Sequence, residues 1–432
     1  MRAGRTWALA ALASAGAAWG GIAVAQIREE PYVHLGVASC ATGVCHGKLT
    51  PQESVNVWLN EYRIWSAEDR HARAFQTLLT DESRQIAQKL GLPSAQTAKI
   101  CLDCHADNVA PEKRGPRFQL SDGVGCEACH GGAELWIESH TEPGITHEAN
   151  LERGMYATED PVARAEICLS CHLGTVDQLA THRIMGAGHP RLRFELEAFT
   201  ANQPAHYAID DDYLERKGRI AGFNLWLTGQ LKSATRYLSL VQSRLYEADG
   251  AFPELAFYDC HACHHSMDDR RWSRTHVGAG VDPGTPRLQN QHFLMLEAVS
   301  RVLEPGAAAE LSRSVESFVR AGGAGARAVA DATQALLGWL GGRERAWASA
   351  DYEAAQVAGI RRGILAMAAA GELADYASAE QAFLALESLT LYLGANERQR
   401  SALDSLFAAV ENDETYQPAE FQAAARRVAA EF

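Results

Sequence analysis

Four times this chain reads Cys-x-x-Cys-His, at Cys101–His105, Cys126–His130, Cys168–His172 and Cys260–His264. A fifth copy, Cys40-Ala-Thr-Gly-Val-Cys45-His46, is stretched by two residues. The five copies consume all ten cysteines, and a histidine follows the second cysteine of each. Two thiols at this spacing add across the vinyl groups of one porphyrin edge, and the adjacent histidine swings beneath the ring to ligate iron. Disulfides give no reason for the spacing. Zinc sites would combine the pairs two by two and leave the following histidines unexplained. The motifs therefore predict five haem c groups, held by Cys40, Cys45, Cys101, Cys104, Cys126, Cys129, Cys168, Cys171, Cys260 and Cys263. His46, His105, His130, His172 and His264 are their proximal ligands. In the stretched copy, Gly43 is read as the residue that lets the extra chain bulge.

Such chemistry needs an export signal, and one is legible. Arg2 and Arg5 precede an apolar run from Trp7 to Ala25 that ends Ala23-Val-Ala25 before Gln26, the pattern of a secretory signal peptide at 1–25. The competing reading is an uncleaved anchor, since the run approaches the ~20 residues that span a bilayer. Later stretches are too polar to cross a membrane, so no span is expected after cleavage, and the periplasm is the expected location. Residues 1–25 hold two arginines and no acids, so cleavage moves the side-chain balance from −14 to −16. An acidic surface excludes nucleic acid as a partner and favours basic or neutral protein patches. Hydrophobic residues at 47% and charged residues at 22% describe a folded globular chain rather than a disordered or multi-span one.

Eleven of the sixteen histidines lie outside the motifs, enough to give every iron a second axial ligand. Two imidazoles make a low-spin iron suited to electron transfer, whereas an open position invites small-molecule chemistry. His71 is the leading distal candidate. Ser66-x-x-Asp69 reads as a capping box, which starts a helix at Ala67 and places His71, Ala74, Phe75 and Leu78 on one face. His34 lies among Val33, Leu35 and Val37 and is expected to reach a haem other than its neighbour. His140 and His147 follow the third motif in a Pro- and Gly-containing loop, and one or both are expected to ligate. His182 and His189 flank Gly186 and Gly188, which permit close approach to a flat cofactor; one of the two is expected to be axial, His189 by preference. His206, His261, His265, His276 and His292 are weaker. His261 and His265 read as partners of the haem periphery, and His292 reads as a core residue that could still serve the fifth haem.

The fold class expected is mainly α. A pentahaem region at 26–276, with little regular strand, is followed by an all-α bundle at 288–432. Haem replaces side chains as core in the first region. Leu227, Leu231, Ala234, Leu238, Val241 and Leu245 define one amphipathic helix near 221–248 with a narrow apolar seam, read as an internal packing helix. After a Gly- and Pro-rich linker near 276–288, glycine breaks near 322–325 and 341–342, near Gly371 and at Gly394 divide the remainder into five or six helices.

Around Val124-Gly-Cys126-Glu-Ala-Cys129-His130-Gly131, and again at Met185-Gly-Ala-Gly-His189-Pro-Arg-Leu-Arg-Phe-Glu-Leu196, the chain resembles the cytochrome c-554/c-prime family, typified by the tetrahaem partner of hydroxylamine oxidoreductase. The segment from Trp65 to Phe75 looks like a distal-ligand helix of such proteins. The resemblance covers roughly residues 30–270 and leaves the C-terminal bundle outside. It implies a mainly helical fold with closely stacked haem pairs, mostly bis-histidine irons, and periplasmic electron transfer. The five motif histidines would then be proximal, and His34, His71 and a histidine of the 140–147 or 182–189 pairs distal. Five motifs rather than four, the stretched first motif and the long C-terminal region depart from the family pattern.

The leading function is a carrier that passes electrons between a donor and an acceptor protein, with the bundle able to anchor it as an oligomer or in a larger redox complex. The alternative is an oxidoreductase acting on a small nitrogen or sulfur compound at a five-coordinate haem, for which Arg191, Arg193, His206 and Tyr207 could line a pocket.

Overall fold

The structure is a computed structural model that describes residues 31–52, 57–218, 222–246, 253–264, 281 and 286–432. The signal segment at 1–25, His265, His276 and most of the 276–288 linker lie outside the described residues. Among the described residues the regular elements are α- and 3-10 helices, and strand pairing is confined to the isolated bridges His34–Arg114 and Tyr258–Leu288. The fold is mainly α, as the sequence implies.

The cysteine-rich region is built from short helices, and its motifs use helix ends. The helices Lys99–His105, Cys126–His130 and Pro161–His172 each finish on a motif histidine. Pro161 pre-sets the first turn of the third of these, and the Asp160 carboxylate accepts from Ala163 N–H, which fixes where it begins. Apolar clusters here are small: Leu78, Ala87, Ala95, Leu102 and Ala106 form one, and Ala165, Leu169, Phe194, Leu196 and Leu225 another.

Around His71 the local structure differs from the expected capping box. A helix ends, rather than begins, at this point: Glu61–Glu68 closes, and the Asp69 carboxylate caps a 3-10 turn, Arg70–Arg73, followed by Ala74–Thr77. The Ser66 hydroxyl donates back to the Arg63 carbonyl instead. A serine inside a helix has that local acceptor available, which removes it as a cap.

The helix Gly222–Arg244 is the spine of the molecule. Its burial is much wider than a narrow seam, since Thr228, Gln230, Ser233 and Ser239 are buried along with the apolar positions. The cause is packing on several sides: Pro161–His172 and Leu196–Asn202 lie against it, as do Gln291–Leu303, Ala326–Gly341 and Tyr376–Leu393. Gly229 makes one of these approaches possible, because a Cβ there would stand 2.7 Å from Leu196 Cβ. Lys232 and Arg236 both pair with Glu166 on the helix that carries the fourth motif, and Lys232 also pairs with Glu344 at 2.6 Å.

Beyond residue 288 eight α-helices follow instead of five or six, running from Gln291–Leu303 to Pro418–Val428. The additional ends come from proline and polar turns rather than glycine: Pro305 and Pro418 open helices at their first positions. These helices and the spine share one apolar core that includes Trp226, Leu238, Phe293, Phe318, Ile364, Leu386 and Phe421.

Candidate haem centres

In the stretched first motif the His46 N–H donates to the Cys40 carbonyl at 3.1 Å. The fifth motif closes the same way, with His264 N–H on the Cys260 carbonyl at 2.8 Å. The two extra residues are thus taken up in a bulge whose tip, Val44, is 84% exposed. The glycine this turn requires is Gly47 rather than Gly43, because a Cβ at 47 would lie 2.0 Å from the Ala41 carbonyl oxygen, whereas one at 43 meets nothing. All ten cysteines are free thiols.

Each motif histidine faces one other histidine. Ring centroids are 6.2 Å apart for His46 and His140, 6.1 Å for His71 and His172, 6.3 Å for His105 and His189, 6.3 Å for His130 and His206, and 6.1 Å for His182 and His264. The ring planes are close to parallel in the first pair, at 13°, and near 90° in the pairs of His105, His130 and His172. Two imidazoles bound through Nε2 to one metal at about 2.0 Å would have centroids roughly 6.3 Å apart, so every pair has the span of a shared axial ligation.

Among the described residues no group of three or more His, Cys, Asp or Glu side chains is placed to hold a bare metal ion. Opposed imidazoles without further protein ligands suit a metal whose remaining positions are filled by a macrocycle, which is the ligand set of haem. The surroundings fit as well. Trp136, whose ring meets His140 edge-on at 5.5 Å, has a buried Nε1 without a protein acceptor.

Hydrogen bonding sorts the histidines further. His46 donates Nδ1–H to Glu61 at 2.8 Å, and His71 to Asp69 at 2.9 Å. His105 uses the Ala74 carbonyl at 3.0 Å, His140 that of Trp136 at 3.1 Å, and His189 that of Pro190 at 2.7 Å. An Nδ1 committed to an oxygen leaves Nε2 as the ligating atom and fixes the ring plane. The Glu61 and Asp69 carboxylates raise the His46 and His71 pKa values. Burial lowers those of His130 and His172 to about 4, which keeps them neutral, as a ligand must be.

His34 and His147 are not among these five partners. His147 spends Nε2 on Glu159 at 2.5 Å, and His34 is buried with Nδ1 on Asp107 at 2.6 Å. The partner that the sequence ranked low is His206, in the irregular stretch between Leu196–Asn202 and Asp211–Lys217; no periodicity or cap marks it, and only the count of unpaired irons could have raised it. His261 donates or accepts through Nε2 at the Asp413 backbone carbonyl, 2.9 Å away, and His292 contacts Gln230 through Nδ1 at 2.9 Å in the bundle core. Arg191 and Arg193 bind Glu380, while Tyr207 stacks on Tyr213 beside His206, so the four residues considered for a substrate pocket serve two different places.

The motifs also adjoin one another. The Cys40 thiol hydrogen-bonds with that of Cys126. The Cys129 thiol lies within electrostatic reach of Cys168 and Cys171. The Gln178 amide donates to Cys104 at 3.1 Å and Cys171 at 3.2 Å. One short segment supplies both His182 and His189, the partners of the fifth and second motifs.

The family described as cytochrome c554 and c-prime matches residues 39–131, which contain the first three motifs. Cytochrome c-554 of Nitrosomonas europaea is 30% identical over 118 residues, covering 24% of this chain and 48% of that protein. The chain thus spans about half the length of this curated relative. No solved structure matches it. Together with the motif chemistry, these likenesses identify the chain as a c-type cytochrome that resembles the cytochrome c554 and c-prime family.

Proposed function

We propose that this protein is a periplasmic electron carrier with five covalently bound haem c groups, each ligated by two histidines. The pairing of every motif histidine with one other imidazole at 6.1–6.3 Å carries the reading. Bound there, haem supplies one-electron chemistry. The chain's part is to hold the ligands, orient them through Nδ1 hydrogen bonds and leave no iron position open to small molecules.

The motif contacts support an electron path in the order first, third, fourth, second and fifth motif. Its first end lies at the exposed bulge of Val44 and Leu49, which are 84% and 83% exposed. Donor and acceptor would be redox proteins, and the N-terminal segment would direct export.

Haem quantification per chain, with electron paramagnetic resonance of the oxidised holoprotein, tests this. Five low-spin haems, unchanged by cyanide, nitrite or hydroxylamine, are expected. Parallel and perpendicular ligand planes split the iron d orbitals differently, so the His46–His140 haem should give a low-spin signal distinct from those of the His105, His130 and His172 haems. A high-spin haem that shifts on adding those ligands would replace the carrier with the oxidoreductase reading.

A further inference from the structure

Residues 189–195 have no regular secondary structure, yet they join three haem centres. His189 faces His105, His182 just upstream faces His264, and the Phe194 ring stacks on His172 at 4.5 Å. What fixes this strip comes largely from the C-terminal bundle. On Tyr376–Leu393, Glu380 is 5% exposed and receives Arg191 Nη2 at 2.9 Å, Arg193 Nη1 at 3.3 Å and the Tyr376 hydroxyl at 3.3 Å. Gln381 donates to the Phe194 carbonyl at 2.8 Å, and Ser388 donates to Glu195 at 3.4 Å.

We propose that Glu380 is a positioning residue for the axial histidine His189, which makes the C-terminal bundle part of the haem-ligating machinery. The inference rests on the ligation reading above. Arg191 lies two residues from His189, its guanidinium packs over the Tyr376 ring at 5.0 Å, and it is mostly buried. His189 orients its imidazole on the carbonyl of Pro190, the residue between them, at 2.7 Å. Removing the carboxylate leaves a buried cation uncompensated. Arg191 then turns toward solvent and carries the Pro190 carbonyl with it, so the imidazole loses its fixed plane. Upstream, Lys89 on the Ala187 carbonyl at 3.0 Å and Glu254 on His182 N–H at 2.7 Å continue to hold the chain, which confines the disturbance to His189 rather than His182.

The test uses cyanide binding and spin state of the purified holoprotein, with haem counted per chain. His189→Ala provides the reference and should turn one haem high-spin. Glu380→Ala should raise cyanide affinity at that same haem roughly tenfold or more over the unaltered protein, with the other four haems unchanged. Glu380→Asp should restore most of the original behaviour, and Glu380→Ala should add nothing in a His189→Ala background. Arg191→Gln breaks the same clamp without altering the bundle helix, and covers the case in which Glu380→Ala does not fold. Changes spread over all five haems, or cyanide affinity unchanged in both clamp variants while His189→Ala is high-spin, would overturn the inference alone. A His189→Ala variant with five low-spin haems would remove the ligation reading and this inference with it.

Discussion

Replacing His206 by alanine subtracts one imidazole from the His130 pair and little else. The residue is half-buried in irregular chain, and its Nδ1 faces the Pro204 carbonyl at 3.5 Å, the limit of a hydrogen bond. We therefore expect stability to change by less than about 1 kcal/mol. The spectroscopic effect should be far larger. His206 is the single partner of one motif histidine among five, so one fifth of the iron should pass from low to high spin, and the reduced protein should bind one carbon monoxide per chain. Excess free imidazole should reverse both changes, because it re-supplies the missing ligand without the chain. His147→Ala is the matched comparison. Its Nε2 is committed to Glu159, so all five haems should remain low-spin. The assay is low-temperature paramagnetic resonance of the oxidised form, with carbon monoxide titration of the reduced form. Five low-spin haems in His206→Ala, or a high-spin haem in His147→Ala, would refute the argument from ring spacing.

Two further predictions concern buried carboxylates. Glu127, inside the third motif, accepts from the backbone N–H groups of Leu35, Gly36 and Ala133 at 2.7, 2.7 and 2.8 Å. Glu127→Gln turns one acceptor into a donor facing a donor and should cost about 1–3 kcal/mol, read as a lower guanidinium unfolding midpoint of the holoprotein; an unchanged midpoint would contradict the clamp. Burial pushes the Glu195 carboxyl up to about 8 from 4.5, so the folded state keeps a proton that the unfolded chain releases in this window. Stability should therefore fall as pH rises from 4.5 to 8, by at most ~5 kcal/mol, and Glu195→Gln should flatten that slope in unfolding midpoints measured against pH.

The sequence by itself determined the chemistry. Covalent haem attachment depends on two thiols and a histidine that are neighbours along the chain, so each Cys-x-x-Cys-His is a complete local statement and needs no fold to be read. The helical class of the C-terminal region was legible for the same reason, since periodicity and proline or glycine breaks act within a few residues. Tertiary structure decided everything that joins distant segments. His71 meets His172 and His189 meets His105 across about a hundred and eighty-odd residues respectively of intervening sequence. Nothing local distinguishes His206, which finds a partner, from His147, which finds Glu159. The spine helix was recognisable by its leucines, but its buried threonine, glutamine and serines were not, because their burial comes from helices packed on several sides. An axial ligand is defined by a distance in space, and sequence separation carries no information about that distance until the chain has folded.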